Sequence, residues 1–148
     1  MFASLIIEHM KKEYQELAHS AEKIKLAAYA PFSKFRVGAA LLAKDGSIYT
    51  GCNIENSSYG LTICAERVAV FKAITTGASH FKAIAVVSDD PGFTPPCGAC
   101  RQVLLDLTGN IDFVMKNSKG QFKIKKLSSL LPLAFSGKNL ERTLKSRT

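Results

Sequence analysis

No part of the 148-residue sequence approaches the roughly 20 consecutive apolar residues that a membrane-spanning helix needs. The apolar patch at residues 5–7 is followed at once by Glu8 and His9, which is not the pattern of a signal peptide. Repeats and low-complexity stretches are also lacking, and 47% hydrophobic with 22% charged residues excludes a disordered chain. We therefore predict one domain over residues 1–148, located in the cytoplasm and without a membrane partner.

Cysteine is scarce, with four residues, and a cytoplasmic compartment keeps thiols reduced. Cysteines spaced Cys-x-x-Cys in that setting indicate metal or redox chemistry instead of disulfides. Charges of one sign never form a run of five, although Lys and Arg outnumber Asp and Glu by 20 to 12, a formal charge of +8. A nucleic-acid partner and a merely solvated surface both fit this excess. The scattered charge favours the solvated surface, and we expect no nucleic-acid partner.

Periodicity and turn residues predict a hairpin followed by alternating helices and strands. The predicted helices cover residues 4–29, 63–76, 98–107 and 127–131, and the predicted strands cover residues 35–44, 47–53, 81–88, 111–116 and 121–125. Asp45-Gly46 is a typical hairpin turn, Gly77 is the expected cap of the second helix, and Pro31 and Pro132 end the first and last helices. An antiparallel pair joined to crossover helices implies a mixed sheet covered by helices, an α/β fold.

Two short segments carry the chemistry: Cys-Ala-Glu at residues 64–66 and Pro-Cys-Gly-Ala-Cys at residues 96–100. Three protein ligands and an open fourth position are typical of catalytic zinc, whereas structural zinc has four ligands. Both segments lie at predicted helix N-termini, where exposed N–H groups favour thiolates. We therefore predict a Zn²⁺ ion held by Cys64, Cys97 and Cys100. Glu66 then lies near the open position and serves as the acid–base residue.

Two arginines and a fourth cysteine bear on this metal site. Arg67 and Arg101 each follow a motif residue directly, and we expect them to hydrogen-bond the sulfurs and withdraw charge. A redox pair of cysteines leaves Cys64 unexplained, and a structural zinc site needs a fourth ligand, for which Cys52 is the candidate. Because Cys52 ends a predicted strand, we interpret it as a small buried hydrophobe.

Along nearly its whole length the sequence resembles the small zinc-dependent cytidine deaminases, through segments at residues 31–33, 35–40, 51–56, 64–67 and 96–102. The resemblance implies a three-layer α/β/α fold with a mixed five-stranded sheet, and a homotetramer whose active sites are shared between subunits. It also implies hydrolytic deamination of cytidine and deoxycytidine, an activity of pyrimidine salvage. Zinc-bound hydroxide then attacks C4 of the base while Glu66 shuttles the protons.

The same resemblance assigns the substrate contacts. Asn53 and Glu55 are implied to bind ribose hydroxyls, Phe32 to pack against the nucleoside, and the backbone near Ala65 and Cys97 to read the base edge. Asn53 and Glu55 also fit turn residues at a strand end, and Phe32 an ordinary core aromatic. A carboxylate at Glu55 has little structural reason to be there, so we interpret it as functional.

Two aromatic residues are implied to act between subunits. Phe135 resembles the family's aromatic that reaches a neighbouring subunit's site and stacks on the pyrimidine, and Tyr59 is implied to line the subunit interface near the site. An apolar residue after a helix end usually just packs, so a core role for Phe135 is the alternative.

Three rival functions stay open. A polynucleotide-editing deaminase shares the metal motif and suits the positive charge, but it must admit a flanking strand. A blasticidin-type deaminase acts on a nucleoside antibiotic, and the Cys-Ala-Glu-Arg and ribose segments favour cytidine over it. A non-catalytic module stabilised by zinc has a fourth ligand, for which Cys52 is the candidate.

Overall fold

The computed structural model describes the backbone of residues 2–145 and the side chains of residues 12–142. The α-helices are α1 (Phe2–Lys25), α2 (Ala65–Thr75), α3 (Gly98–Thr108), α4 (Leu127–Leu130) and α5 (Gly137–Lys145). The strands are β1 (Val37–Ala43), β2 (Ile48–Cys52), β3 (Phe81–Ser88), β4 (Asp112–Lys116) and β5 (Phe122–Lys126). Within this described part of the chain, no helix is both long enough and apolar enough to cross a membrane.

The five strands form one mixed sheet in the order β2-β1-β3-β4-β5. Strand β1 is antiparallel to both β2 and β3, and β4 is antiparallel to β5. Strands β3 and β4 are parallel, and a parallel pair needs a crossover connection, which α3 supplies. The predicted mixed five-stranded sheet is therefore confirmed.

Helices cover both faces of this sheet, because its central strands are apolar on both sides. On one face α1 buries Leu17 and Ala21 in a core cluster with Leu42 of β1. On the other face α2 and α3 bury Val70 and Leu104 in a second cluster. Successive side chains of a strand point to opposite faces, so one continuous apolar strand supplies both clusters. The layers are α1, the sheet, and then α2 with α3, as the three-layer α/β/α prediction requires.

Two glycines let the helices approach the sheet closely. A Cβ atom at Gly38 would lie 2.0 Å from the carbonyl oxygen of Ala21 in α1. A Cβ atom at Gly51 would lie 2.5 Å from the backbone nitrogen of Ala69 in α2. No side chain fits at such distances, so the backbones of α1 and α2 pack directly against the hairpin of β1 and β2. The contact at Gly51 fixes the distance between the sheet and α2, the helix that begins at the first metal segment.

The ends of several elements differ from the prediction. Helix α1 ends at Lys25 and not at residue 29, because the chain turns over residues 26–28 and Tyr29 then pairs with Ile54 in an isolated bridge. The C-cap of α2 is Thr76, and Gly77 follows it with φ of +88°. That left-handed conformation is typical of glycine immediately after a helix.

Helix α5 was not predicted. Its sequence is apolar only at residues 140 and 144, so it offers no long hydrophobic stripe to signal a helix. Leu140 is 56% exposed. None of the described side chains of α5, which end at residue 142, belongs to either core cluster.

Candidate metal centre and active site

Three cysteine thiols come together where two helices begin. Cys64 is the N-cap of α2, Cys97 is the N-cap of α3, and Cys100 lies in the first turn of α3. Their Sγ atoms all lie within 4.8 Å of one another. Neither N-cap side chain makes a capping hydrogen bond to the backbone of its own helix, so both sulfurs are available to a metal. The unpaired N–H groups of the two helix ends favour anionic thiolates.

This donor set fits zinc. A tetrahedral ion with Zn–S distances near 2.3 Å places its sulfurs about 3.8 Å apart, and the Sγ atoms of Cys64 and Cys97 are 3.8 Å apart. Cys52 is not part of the metal-ligating cluster found among the described side chains. The site therefore offers three protein ligands and one open position, as catalytic zinc requires. The rival of a structural site with Cys52 as fourth ligand is not favoured.

The thiols do not ionise independently. The hydrogen bond with Cys100, and then that with Arg67, lower the pKa of Cys64 to about 5 in spite of burial. The same hydrogen bond with Cys64, together with burial, raises the pKa of Cys100. Repulsion between neighbouring thiolates thus favours one charge at a time, and a divalent cation allows all three thiols to lose their protons.

Arg67 supports the negative charge of the thiols. Its Nη2 atom donates to Cys64 Sγ at 3.5 Å. Its Nε atom is buried and is the one buried side-chain nitrogen or oxygen without a hydrogen-bond partner among the described residues. An unpaired buried donor costs roughly 1–3 kcal/mol. Spare donor capacity beside three thiols suits a cluster that carries more negative charge once a metal is bound.

Arg101 is placed differently from the prediction. Its Nε atom donates to the carbonyl oxygen of Pro96 at 2.9 Å, and its Nη1 atom donates to that of Leu130 at 2.8 Å. The guanidinium group therefore hydrogen-bonds backbone carbonyls and not a sulfur. It fixes the backbone one residue before Cys97 and joins that segment to α4.

A cleft of about 450 Å³ opens over the thiols, with Cys64, Ala65, Glu66 and Cys97 among its lining residues. The rest of its lining consists of Ser33, Phe35, Val37, Asn53, Glu55, Thr62, Thr94 and Pro95. Its volume lies within the roughly 300–1,000 Å³ of small-molecule sites. The cleft therefore joins both predicted motifs to the segment predicted to bind ribose.

Two carboxylates of this cleft differ in their environment. Glu66, the second residue of α2, is only 5% exposed, and burial raises its pKa to about 7. Glu55 is half-buried, and the hydrogen bond from the Ser33 hydroxyl group lowers its pKa. Carboxyl groups whose pKa values are shifted in opposite directions take different tasks, one exchanging protons and the other remaining charged.

Asn53 and Glu55 both bind the neighbouring backbone. Asn53 is buried, its Oδ1 accepts from Val37 N at 2.8 Å, and its Nδ2 donates to the carbonyl oxygen of Phe35 at 2.8 Å. The Glu55 carboxylate accepts from Phe32 N at 2.8 Å and from the backbone and hydroxyl of Ser33. The interpretation that Glu55 has little structural reason to be there is therefore wrong, because it holds the turn before β1.

The aromatic residues divide between two cavities. Phe35 lines the cleft over the thiols, whereas Phe32 does not. Phe32 and Tyr59, with ring centroids 5.6 Å apart, line an adjacent cavity of about 330 Å³. Phe135 lines neither cavity and is 58% exposed, with its carbonyl oxygen accepting from Gln102 Nε2 at 3.0 Å.

Several residues that line the cleft were not predicted as site residues from the sequence. Phe35 and Val37 belong to the segment at residues 35–40 on which the resemblance rests, and Thr94 and Pro95 directly precede the second metal segment. Proximity in sequence to a motif was the available signal for all four. Which of their neighbours face the cleft depends on turns that the motif does not specify.

Similarity to known proteins provides evidence that is independent of the geometry of the site. Residues 11–115 match the family model described as the cytidine and deoxycytidylate deaminase zinc-binding region. A cytidine deaminase of Sporosarcina psychrophila is 50% identical over 129 residues, which are 86% of this chain and 95% of that protein. One of Mycobacterium tuberculosis is 41% identical over 133 residues, 88% of this chain and 95% of that protein.

Solved structures agree with the sequence relatives. The crystal structure of cytidine deaminase from Burkholderia pseudomallei has a TM-score of 0.79 at 45% identity, covering 82% of this chain and 98% of that chain. The structure of cytidine deaminase from Mycobacterium tuberculosis has a TM-score of 0.72 at 41% identity, covering 82% and 96%. Because the match spans most of the chain in both sequence and fold, the chain belongs to the cytidine and deoxycytidylate deaminase family.

Proposed function

We propose that the protein is a zinc-dependent cytidine deaminase, a hydrolase that converts cytidine or deoxycytidine and water into uridine or deoxyuridine and ammonia. One observation carries the proposal: the buried carboxyl group of Glu66 lines the same cleft as an open three-thiol metal site. Relatives that are 41% and 50% identical and bear the name cytidine deaminase support it. The reaction belongs to pyrimidine salvage.

In the proposed mechanism Glu66 moves the protons. Zinc held by the three thiolates would lower the pKa of a water molecule toward about 7 and would so supply the nucleophile for C4 of the pyrimidine. Glu66 takes a proton from the attacking water and delivers it to N3, and it then carries the second proton of the water to the amino group, which leaves as ammonia. Because Glu66 is buried, these protons pass between the reactants and not to bulk solvent.

Asn53 and Glu55 are proposed to bind the ribose. The amide of Asn53 keeps one hydrogen and one oxygen lone pair beyond its two backbone bonds, and the charged Glu55 carboxylate has further acceptor sites. Both residues line the cleft together with Ala65 and Cys97, whose backbone is proposed to contact the base edge. A hydroxyl group of the sugar is the donor that the carboxylate best accommodates.

The substrate class follows from comparing nucleosides with their relatives. We expect zinc-loaded protein to release ammonia from cytidine and deoxycytidine. Free cytosine lacks the ribose hydroxyls, and CMP brings a phosphate toward the Glu55 carboxylate, so we expect turnover of both to be at least about tenfold lower, which is ~1.4 kcal/mol. Faster turnover of a single-stranded oligonucleotide or of blasticidin than of cytidine would favour the corresponding rival deaminase.

We also propose a homotetramer in which Phe135 enters a neighbouring subunit's site and Tyr59 lies at the subunit interface. Phe135 is well exposed and outside the cleft of its own chain, and Tyr59 is 73% exposed beside that cleft. Leu133, two residues before Phe135, is also exposed and has φ of +51°, a strained conformation for leucine. Arg101 and Gln102, next to the metal-binding turn of α3, donate hydrogen bonds to the carbonyl oxygens of Leu130 and Phe135 at the two ends of the segment over residues 130–135.

A site shared between subunits predicts complementation between two defective variants. Loss of an aromatic anchor costs about 2 kcal/mol, so we expect Phe135→Ala alone to lower kcat/KM about 30-fold. In a mixed tetramer, Glu66 from a Phe135→Ala chain and Phe135 from a Glu66→Gln chain complete one site. We therefore expect co-expressed, doubly tagged mixed tetramers to exceed the mean activity of the two parents several-fold.

The matched control pairs Phe135→Ala chains with chains that carry both substitutions. No site of that mixture is complete, so its activity should equal the mean of its parents. Equal activity of the two mixtures would contradict a shared site.

The remaining proposals concern the setting of the enzyme. We propose that residues 1–148 act as one domain in the cytoplasm, with a small nucleoside and water as the reactants and no nucleic-acid partner. All four cysteines are free thiols, as a reducing compartment allows.

A further inference from the structure

Asp89, the first residue after β3, joins three separate parts of the chain. Its carboxylate accepts hydrogen bonds from Arg36 Nε at 2.9 Å and from Arg36 Nη2 at 3.2 Å. The backbone N–H of Arg36 also donates to Asp89 Oδ2 at 3.0 Å, and the backbone N–H of Asp89 donates to the carbonyl oxygen of Arg36 at 3.0 Å. Lys25 Nζ, at the end of α1, lies 3.1 Å from Asp89 Oδ1.

Two of these three parts contribute residues to the lining of the cleft. Arg36 stands between Phe35 and Val37, whose side chains form part of the lining. Asp89 begins the loop that leads to the lining residues 94–95 and then to the metal segment. Asp89 itself is not among the lining residues. It is therefore placed to act on a ligand through the residues that it holds.

The energetics favour a role in geometry over one in stability. The side chains of Arg36, Asp89 and Lys25 are 45%, 25% and 18% exposed, and ion pairs accessible to solvent contribute little to the free energy of unfolding. A bidentate pair between arginine and a carboxylate does fix distance and orientation. The hydrogen bonds from Arg36 also hold the pKa of Asp89 well below its usual range, so the pair stays charged at neutral pH.

We propose that Asp89 is a positioning residue for the nucleoside: by holding residues 35–37 against the loop over residues 89–97, it sets the width of the cleft. This inference rests on the proposed function, since it concerns the binding of that substrate. It assigns Asp89 to binding and not to proton transfer or to metal ligation.

The chain provides a matched control in Asp112. Its carboxylate accepts from Tyr14 Oη at 2.6 Å and lies 2.7 Å from Lys126 Nζ, so it too joins α1 to two other parts of the chain. It is 16% exposed, comparable with Asp89, and neither it nor its partners line the cleft. A purely structural aspartate should behave as Asp112 does.

The test compares Asp89→Asn, Arg36→Gln, the double variant and Asp112→Asn as zinc-loaded proteins. We measure KM and kcat for cytidine, the Kd of uridine by calorimetry, and the zinc content. For Asp89→Asn we expect KM and Kd to rise about tenfold, with kcat within about twofold of wild type and full zinc content. Arg36→Gln should change them in the same direction, and the double variant should resemble the single ones because both changes break one interaction. Asp112→Asn should leave KM and Kd unchanged.

Asp89→Glu keeps the charge and should retain more of the affinity for uridine than Asp89→Asn does. If Asp89→Asn does not fold, Asp89→Glu and Arg36→Gln still test the proposal. An unchanged KM and Kd in the Asp89 and Arg36 variants overturns the proposal. So does an equal rise in Asp112→Asn, or a loss of zinc and kcat in place of affinity. Turnover of cytidine by the wild type tests the proposed function separately, because the inference is read from ratios between variants. A wild type that neither deaminates cytidine nor binds uridine overturns both.

Discussion

Replacing Glu66 by glutamine should lower kcat for cytidine by about 10²- to 10⁴-fold, the usual contribution of a positioned acid–base group. Glutamine keeps the shape of the side chain but neither accepts a proton from water nor releases one to N3. Because Glu66 is not among the three metal ligands, zinc content should stay at the wild-type level. Ammonia release and zinc analysis on the same preparation check both halves of the expectation.

The control for this result is the other carboxylate of the cleft. Glu55→Gln removes a charge that we assign to ribose binding, so KM should rise while kcat changes little. Retained turnover in the Glu66→Gln protein, or loss of its zinc, would contradict the assignment of Glu66 as the proton carrier. Equal effects of the two substitutions on kcat would also contradict separate roles.

Replacing Cys100 by serine should remove the metal and with it the activity. Cys100 is fully buried within the thiol cluster, and a serine hydroxyl stays protonated where a thiol ionises. Only two thiolates then remain for the ion. We expect zinc content to fall from about one ion per chain to less than about a tenth after dialysis against a chelator. Metal analysis and ammonia release measure the two losses.

Cys52 provides the matched substitution. It lies at the end of β2, outside the thiol cluster, so Cys52→Ser should keep both zinc and turnover. Loss of zinc in this variant would revive the four-ligand structural site. Full zinc in Cys100→Ser would instead show that the ion is held by another set of residues.

The metal centre was the part most accessible from sequence, because the Cys-x-x-Cys spacing is local and its combination with Cys-Ala-Glu matches the known motif of zinc deaminases. Cys97 and Cys100 are three residues apart on one helical turn, and Cys64 begins the neighbouring helix. Turn signals and apolar runs likewise predicted the five strands, and β3 matches at both ends. The strands and the Cys-x-x-Cys turn need only short-range chain geometry, whereas the approach of Cys64 to that turn was inferred from the motif.

Features that depend on distant contacts or on single turns were not accessible. Arg101 donates to Leu130, which is 29 residues away, and no spacing rule indicates that partner. Phe32 and Phe35 are three residues apart, yet only Phe35 lines the cleft. Between them Lys34 adopts φ of +58°. This left-handed residue separates the two phenylalanines, and the sequence alone did not indicate it.

The position of the thiols at the starts of two different helices has a consequence for folding. Cys64 and Cys97 are 33 residues apart in sequence, so an ion that binds both closes a loop that contains α2 and the central strand β3. Unlike a disulfide, the ion dissociates when the chain unfolds, so it stabilises the fold by binding the folded state alone. The ion connects the N-terminal ends of α2 and α3. The free energy of unfolding therefore depends on the concentration of free zinc.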